Sequence, residues 1–143
     1  MFKRIILAYD GSATSKLALN LLLTSLKPGY DSEIYVTSVF SHIPDYLSFD
    51  DASYEELVAK ATVHTQHIAD EAVATLNEAG YTAVETEVLD GPAYKAILSV
   101  SEAREADLIL MGSRGLSDLS GMLLGSTSHR VVRRATCPVL IAR

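Results

Sequence analysis

Residues 112–127, GSRGLSDLSGMLLGST, hold four of the chain's eight glycines and follow directly on the apolar run DLILM. Glycine lets a backbone approach a neighbouring group with no side chain between them. Such a stretch suits a loop that presents its amides to a ligand. Gly112 and Gly115 would supply one set of amides, and Gly125 with Ser126, at the start of a following helix, a second. A helix start carries unpaired N–H groups and partial positive charge, which together make an anion site. The chemistry expected is phosphate binding, helped by the hydroxyls of Ser126 and Thr127 and by Arg114.

Micromolar binding requires about 8 kcal/mol, and one hydrogen bond to a charged group gives about 1.5–3 kcal/mol. Several amides can therefore offset an unfavourable net charge. Asp10, at the end of the first apolar run, is an acceptor suited to a ribose hydroxyl or a magnesium-bound water; capping the first helix is its other reading. The pattern is not a Walker A loop, because no Lys-Ser/Thr follows the last glycine. Nor is it the dinucleotide fingerprint, since DGSATS and not GxGxxG follows the first strand. A glycine-rich loop alone is equally a flexible connection; its place between a buried strand and a helix favours the site.

The elements that would position these residues are readable from periodicity. FKRIILAYD (2–10) packs Ile5, Ile6, Leu7 and Ala8 in a row, the continuous pattern of a strand buried on both faces. From Ser12, placed as an N-cap, Leu17, Leu21 and Leu22 recur at helical spacing until Pro28-Gly29. EIYVTSVF (33–40) is a second strand. SHIPDYLSFDDA (41–52) has no period and reads as a long loop. Ser53 and Glu56 form a capping box for a helix running to Gly80, with Leu57, Ala61, Ile68, Ala72 and Leu76 on one face. TAVETEVLD (82–90) is a third strand. Gly91-Pro92 opens a third helix with proline at its first position, and Ala93, Ile97 and Val100 face inward. DLILMG (107–112) is the fourth strand. The last helix starts near Ser126 with Val131 and Val132 inward, and PVLIAR is the fifth strand. Alternating strands and helices with short turns predict one doubly wound α/β domain over residues 1–143: an open parallel five-stranded sheet, helices on both faces and right-handed crossovers. Its ligand site would lie at the carboxyl ends of the strands, where the winding reverses.

Composition narrows the function. The formal charge is -6 and hydrophobic residues make up 48% of 143 positions, which supports a full core and argues against a nucleic-acid binder. The lone Cys137 suits a reducing compartment and reads as a small packed residue. The first apolar run ends at Asp10, too early for a signal peptide, and no stretch reaches the length of a membrane span. The expectation is a soluble, cytoplasmic protein.

The spacing Gly112-x2-Gly115-x9-Gly125-Ser126 resembles the G-2x-G-9x-G-[S/T] signature of the ATP-binding branch of the universal stress protein family. The likeness extends over the chain: ILAYDGS, Gly91-Pro92, DLILMGSRG, LLGSTS and CPVLIA. It implies a Rossmann-like fold of the adenine nucleotide alpha hydrolase type with strand order 3-2-1-4-5. Residues matching Ala8, Asp10 and Val39 would line the adenosine part of an ATP site. Those matching Gly112, Ser113, Arg114 and Gly115, with Gly125, Ser126, Thr127 and Ser128, would hold ribose and phosphates, with Mg2+ or Mn2+ bound through the phosphates. The resemblance also points to an antiparallel homodimer, or a higher oligomer, through Val139, Leu140 and Ile141 of the last strand, which would otherwise be an open edge.

Other residues carry plainer readings. Lys16 reads as an exposed helix lysine. His64 and His67, three apart, lack a third ligand for a metal. Arg130, Arg133 and Arg134 complement a helix carboxyl end, and His42 contacts a ligand or nothing. Leu116, Leu119, Met122, Leu123 and Leu124 are apolar enough to cover the site or a partner subunit. The preferred function is an ATP-binding regulator of a stress response, whose nucleotide state controls assembly or partner binding, with a membrane transporter among the partners the resemblance implies. The alternative is a slow or partner-dependent ATP hydrolase, for which no base or phosphate-loop lysine is evident. A phosphoacceptor receiver ranks last, because Asp10 has no acidic neighbour and no lysine follows the fifth strand.

Overall fold

The computed structural model describes residues 1–41, 50–114 and 123–143. The five predicted strands form as β1 (Arg4–Ala8), β2 (Glu33–Phe40), β3 (Val84–Asp90), β4 (Leu108–Gly112) and β5 (Val139–Ala142). They lie in the order β3-β2-β1-β4-β5, and every pairing is parallel. β1 is central, and its alternating side chains feed two cores. Ile5 and Leu7 join the layer under helices α1 (Ala13–Leu21) and α2 (Asp51–Glu78). Ile6 and Ala8 join the layer under α3 (Ala93–Ala103) and α4 (Ser126–Arg134). This double burial is why the strand reads as a continuous apolar run. Each fully buried Ile or Leu contributes about 1.5–3 kcal/mol.

The helices rotate and end somewhat differently from their sequence pattern. In α1 the inward stripe is Ser15, Ala18, Leu19 and Leu22, spaced i, i+3, i+4, i+7, so Leu17 falls off it and is 39% exposed. Small Ala18, with no exposure, lets the helix close on the sheet. The chain then widens into a π-helical turn, Leu22–Leu26, where the Lys27 N–H reaches the Leu22 carbonyl at 2.9 Å and Lys27 turns left-handed. Pro28 prevents any continuation. In α4, Ser128 and Val131 face inward, and Val132, one position on, is 46% exposed.

Two predicted helix starts also move. α2 is capped by Asp50, whose carboxylate accepts the Ser53 N–H at 2.7 Å. Ser53 lies inside the helix, and its N–H, which a capping box would give to the Glu56 side chain, goes to Asp50 instead. Pro92 is the N-cap of α3, its ψ of 133° extended, and not the first helical residue. The other cap assignments hold: the Ser12 hydroxyl accepts the Ser15 N–H at 3.2 Å, and Gly80 follows α2 with φ of 98°, a conformation glycine adopts freely. Among the described residues no helix is long and apolar enough to cross a membrane.

Candidate functional site

β1 and β4 are neighbours with opposite winding on either side, so their carboxyl ends open a crevice. A cavity of about 690 Å³ occupies it, within the range of about 300–1,000 Å³ usual for small-molecule sites. The cavity has two characters. Toward β2 and α3 it is walled by Val39, Pro92, Ala93, Ile97 and Met111. Toward α1 and α4 it is walled by Ser12, Ser15, Ser113, Ser126, Thr127 and Ser128. Three helices begin on it, and their amino ends bring partial positive charge to one space.

These helix starts are finished differently. The first turn of α1 is closed by the Ser12 side chain. α4 starts at Gly125, which has no side chain to cap it, and no acidic residue stands in its first turn. The first-turn amides of α4, on Ser126, Thr127 and Ser128, therefore lack a side-chain cap beside the cavity.

The glycines and serines divide their work in ways the sequence did not reveal. A Cβ on Gly112 would lie 2.6 Å from the Thr14 carbonyl carbon and 2.7 Å from the Ser15 nitrogen. The group that Gly112 lets in is thus the first turn of α1, and the close approach seats that helix against β4. The expected Gly125 amide donor is spent: it bonds the Ser113 carbonyl at 2.6 Å. The Ser128 hydroxyl donates to the same carbonyl at 2.8 Å, and to the Gly125 carbonyl at 3.1 Å. Ser113 and Ser128 are both buried. These two hydrogen bonds to one carbonyl fix the start of α4 to the end of β4, and leave the Ser126 and Thr127 hydroxyls as the more exposed ones.

Arg114 is held through its backbone, its carbonyl accepting the Thr14 hydroxyl at 2.5 Å and the Ser12 hydroxyl at 3.4 Å. Its side chain is exposed and, with Asp10, brings the opposed formal charges on the lining. Asp10 does both things expected of it in part: Oδ1 accepts the Ser12 N–H at 2.9 Å, bracing the approach to α1, while the residue still faces the cavity. Burial, then the charges of Glu71 and Asp10, push the Tyr9 phenol above its ordinary range, so it stays protonated near neutrality.

Of the predicted site residues, Ala8, Asp10, Val39, Gly112, Ser113, Arg114, Ser126, Thr127 and Ser128 line the cavity. Gly125 lies just behind it, while Gly115, His42, Leu116, Leu119 and Met122 fall outside the described residues. Sequence reasoning missed Thr37, Phe40, Ser41, Ile97 and Met111 on the lining. Thr37 and Phe40 sit at the carboxyl end of β2, where the strand-end rule would have found them.

Elsewhere, Lys16, His64 and His67 are exposed. Among the described residues no three His, Cys, Asp or Glu side chains group as metal ligands. Cys137 is half-buried in the α3–α4 layer, its sulfur 3.5 Å from the Ser101 hydroxyl. Arg133 and Arg134 occupy the last turn of α4 as expected, but Arg134 also reaches back, with Arg130, to the ring of Tyr94. β5 is an edge strand with Val139, Leu140 and Ile141 half-exposed.

With this geometry in view, the comparisons are consistent. The model of the universal stress protein family matches residues 1–143. A universal stress protein of Thermus aquaticus, from the region 3' of a QAH/OAS sulfhydrylase gene, is 34% identical, with all of both chains covered. The solved structure of hypothetical protein MJ0577 superposes with a TM-score of 0.85 at 26% identity, covering 99% of this chain and 96% of that one. A universal stress protein family member from Arabidopsis thaliana, solved with AMP bound, shares the fold with a TM-score of 0.71 at 18% identity, covering 98% and 90% of the two chains. The chain belongs to the universal stress protein family.

Proposed function

We propose that residues 1–143 form one nucleotide-binding domain that takes ATP in the crevice between β1 and β4. The observation that carries this is the start of α4: amides of its first turn, with no side-chain cap, beside a cavity whose far side is apolar. A base is desolvated favourably among Val39, Ile97 and Met111, and phosphates meet the amides of Ser126, Thr127 and Ser128. The Ser126 and Thr127 hydroxyls and Arg114 add donors, while Asp10, through the oxygen not engaged by Ser12, takes a ribose hydroxyl. Gly115 completes the phosphate loop in this reading. The AMP-bound Arabidopsis protein lends support, as a relative of the same fold holding an adenine nucleotide.

A divalent ion, Mg2+ or Mn2+, would neutralise the phosphates. Asp10 is the carboxylate on the described lining, which suits an ion carried by the ligand and touched through water better than a protein-built metal site. The same lining holds no lysine, histidine or glutamate placed to activate water. This favours a regulator over a hydrolase. Nucleotide occupancy then acts through the β4–α4 corner on assembly, through β5 edges in a homodimer, and on a cytoplasmic or transporter partner. Isothermal titration with ATP checks the reading: micromolar, saturable binding is expected, and binding no tighter than that of tripolyphosphate alone contradicts the base-binding half.

A further inference from the structure

The outer face of α4 carries a feature that the proposed nucleotide site does not use. The guanidinium of Arg130 lies 5.0 Å from the centroid of the Tyr94 ring, and that of Arg134 lies 5.2 Å from the same ring. Two like charges thus share one aromatic, four residues apart on one helix, a spacing at which like charges repel. Among the described residues neither arginine has a carboxylate partner, whereas Arg4 and Arg104 do. The helix that bears them has no acidic residue, in a chain of net charge -6.

Their placement sharpens the point. Tyr94 is the second residue of α3, next to Ala93 on the cavity wall. Long side chains on a helix lean toward its amino end, and Arg134 does so, away from the carboxyl terminus that would attract it. Both cations are thereby gathered near the amino end of α3, the end whose partial charge is also positive. The ring holds them there by cation–π attraction, and an anion is what would make the arrangement favourable. Each guanidinium is a planar fork that matches the oxygens of a phosphate.

We propose that Tyr94, Arg130 and Arg134 form a second phosphate-recognition site, beside the cavity and distinct from the amides of α4. The phosphate is either the distal group of a nucleotide whose body lies in the cavity, in which case the inference rests on the nucleotide reading above, or a free phosphate. Nε resonances of Arg130 and Arg134 in proton–nitrogen spectra report on it directly. Titration with inorganic phosphate, at ionic strength matched with chloride, is expected to shift both resonances saturably. Arg134→Gln is expected to weaken the shift at Arg130 at least fivefold, and Tyr94→Leu to do the same. If the distal group is the source, ATP produces the shift at lower concentration than phosphate, and AMP does not. If free phosphate is the source, phosphate and ATP bind together with independent midpoints. Absence of any saturable shift with phosphate or ATP, or an equal shift with chloride, would overturn the site while leaving nucleotide binding to be read from the titration calorimetry. Loss of all ATP binding with the phosphate shift intact would strike the nucleotide reading instead.

Discussion

α1 and α4 both begin at the same crevice, yet the chain treats their amino ends in opposite ways. Ser12 closes α1 by accepting the Ser15 N–H, and the first turn of that helix is wedged against β4 at Gly112. α4 begins with a glycine that has no side chain to offer, and its attachment is made one level back, where the Ser113 carbonyl accepts both Gly125 N–H and the Ser128 hydroxyl. One helix start is completed from within, so it serves the fold. The other is anchored firmly while its first-turn amides are left without a side-chain partner, which is the ground on which it is proposed to serve a ligand. The contrast separates structural glycine from functional glycine within a single motif.

Substitutions that exchange these two treatments test the contrast. The largest effect is expected at Gly112→Ala, where the new methyl meets the Thr14 hydroxyl and, behind it, the Thr14 and Ser15 backbone, which cannot swing aside; overpacking of this kind costs about 3 kcal/mol. Urea denaturation measures it, and an unchanged midpoint would remove the wedge from the account. Gly125→Asp gives α4 the side-chain cap that α1 already has. Fold stability is expected to hold within about 0.5 kcal/mol. ATP affinity is expected to fall at least about tenfold, or about 1.4 kcal/mol, because the carboxylate occupies the amides and repels phosphate. Ser12→Ala is the converse, expected to cost about 1 kcal/mol of stability while weakening ATP less than the Gly125 substitution does.

The smallest effect lies on α2, away from the crevice. Hydrogen bonds from the Ser53 side chain, then its amide, hold the Asp50 carboxyl below the usual range. A carboxyl lowered in the folded state stabilises above its unfolded value of about 3.9 and loses that contribution as pH falls through the lower folded value. Hydrogen exchange at Ser53 and Tyr54 should therefore accelerate in acid below about pH 4. Asp50→Asn, which caps without titrating, should flatten that dependence.

Much of this arrangement is legible in the sequence. Short apolar runs such as Ile5, Ile6, Leu7 and Ala8, bounded by turn signals, fit strands covered on both faces, and their alternation with helical periods points to a wound parallel sheet. The crevice followed from the strand-end rule, and most of the predicted lining residues stand on it. What sequence could not show was which partner each small residue serves. Gly112 looked like room for phosphate; it stands on the crevice and also makes room for α1, because no local pattern records what packs above a strand end. Ser128 looked like a ligand contact, and its hydroxyl is committed to the Ser113 and Gly125 carbonyls. Asp50 displaced Ser53 as a cap since either residue type suits the position, and only the turn actually made decides between them. The stacking of Arg130 and Arg134 on Tyr94 joins helices distant in sequence and left no local signal.

Amide resonances of Ser126, Thr127 and Ser128, followed during titration with ATP and magnesium, test the central claim most directly. These three are expected to move downfield together and to saturate at micromolar nucleotide, with the capped amide of Ser15 moving far less. Saturable ATP binding that left all three unmoved, or that moved Ser15 instead, would contradict the role assigned here to the start of α4.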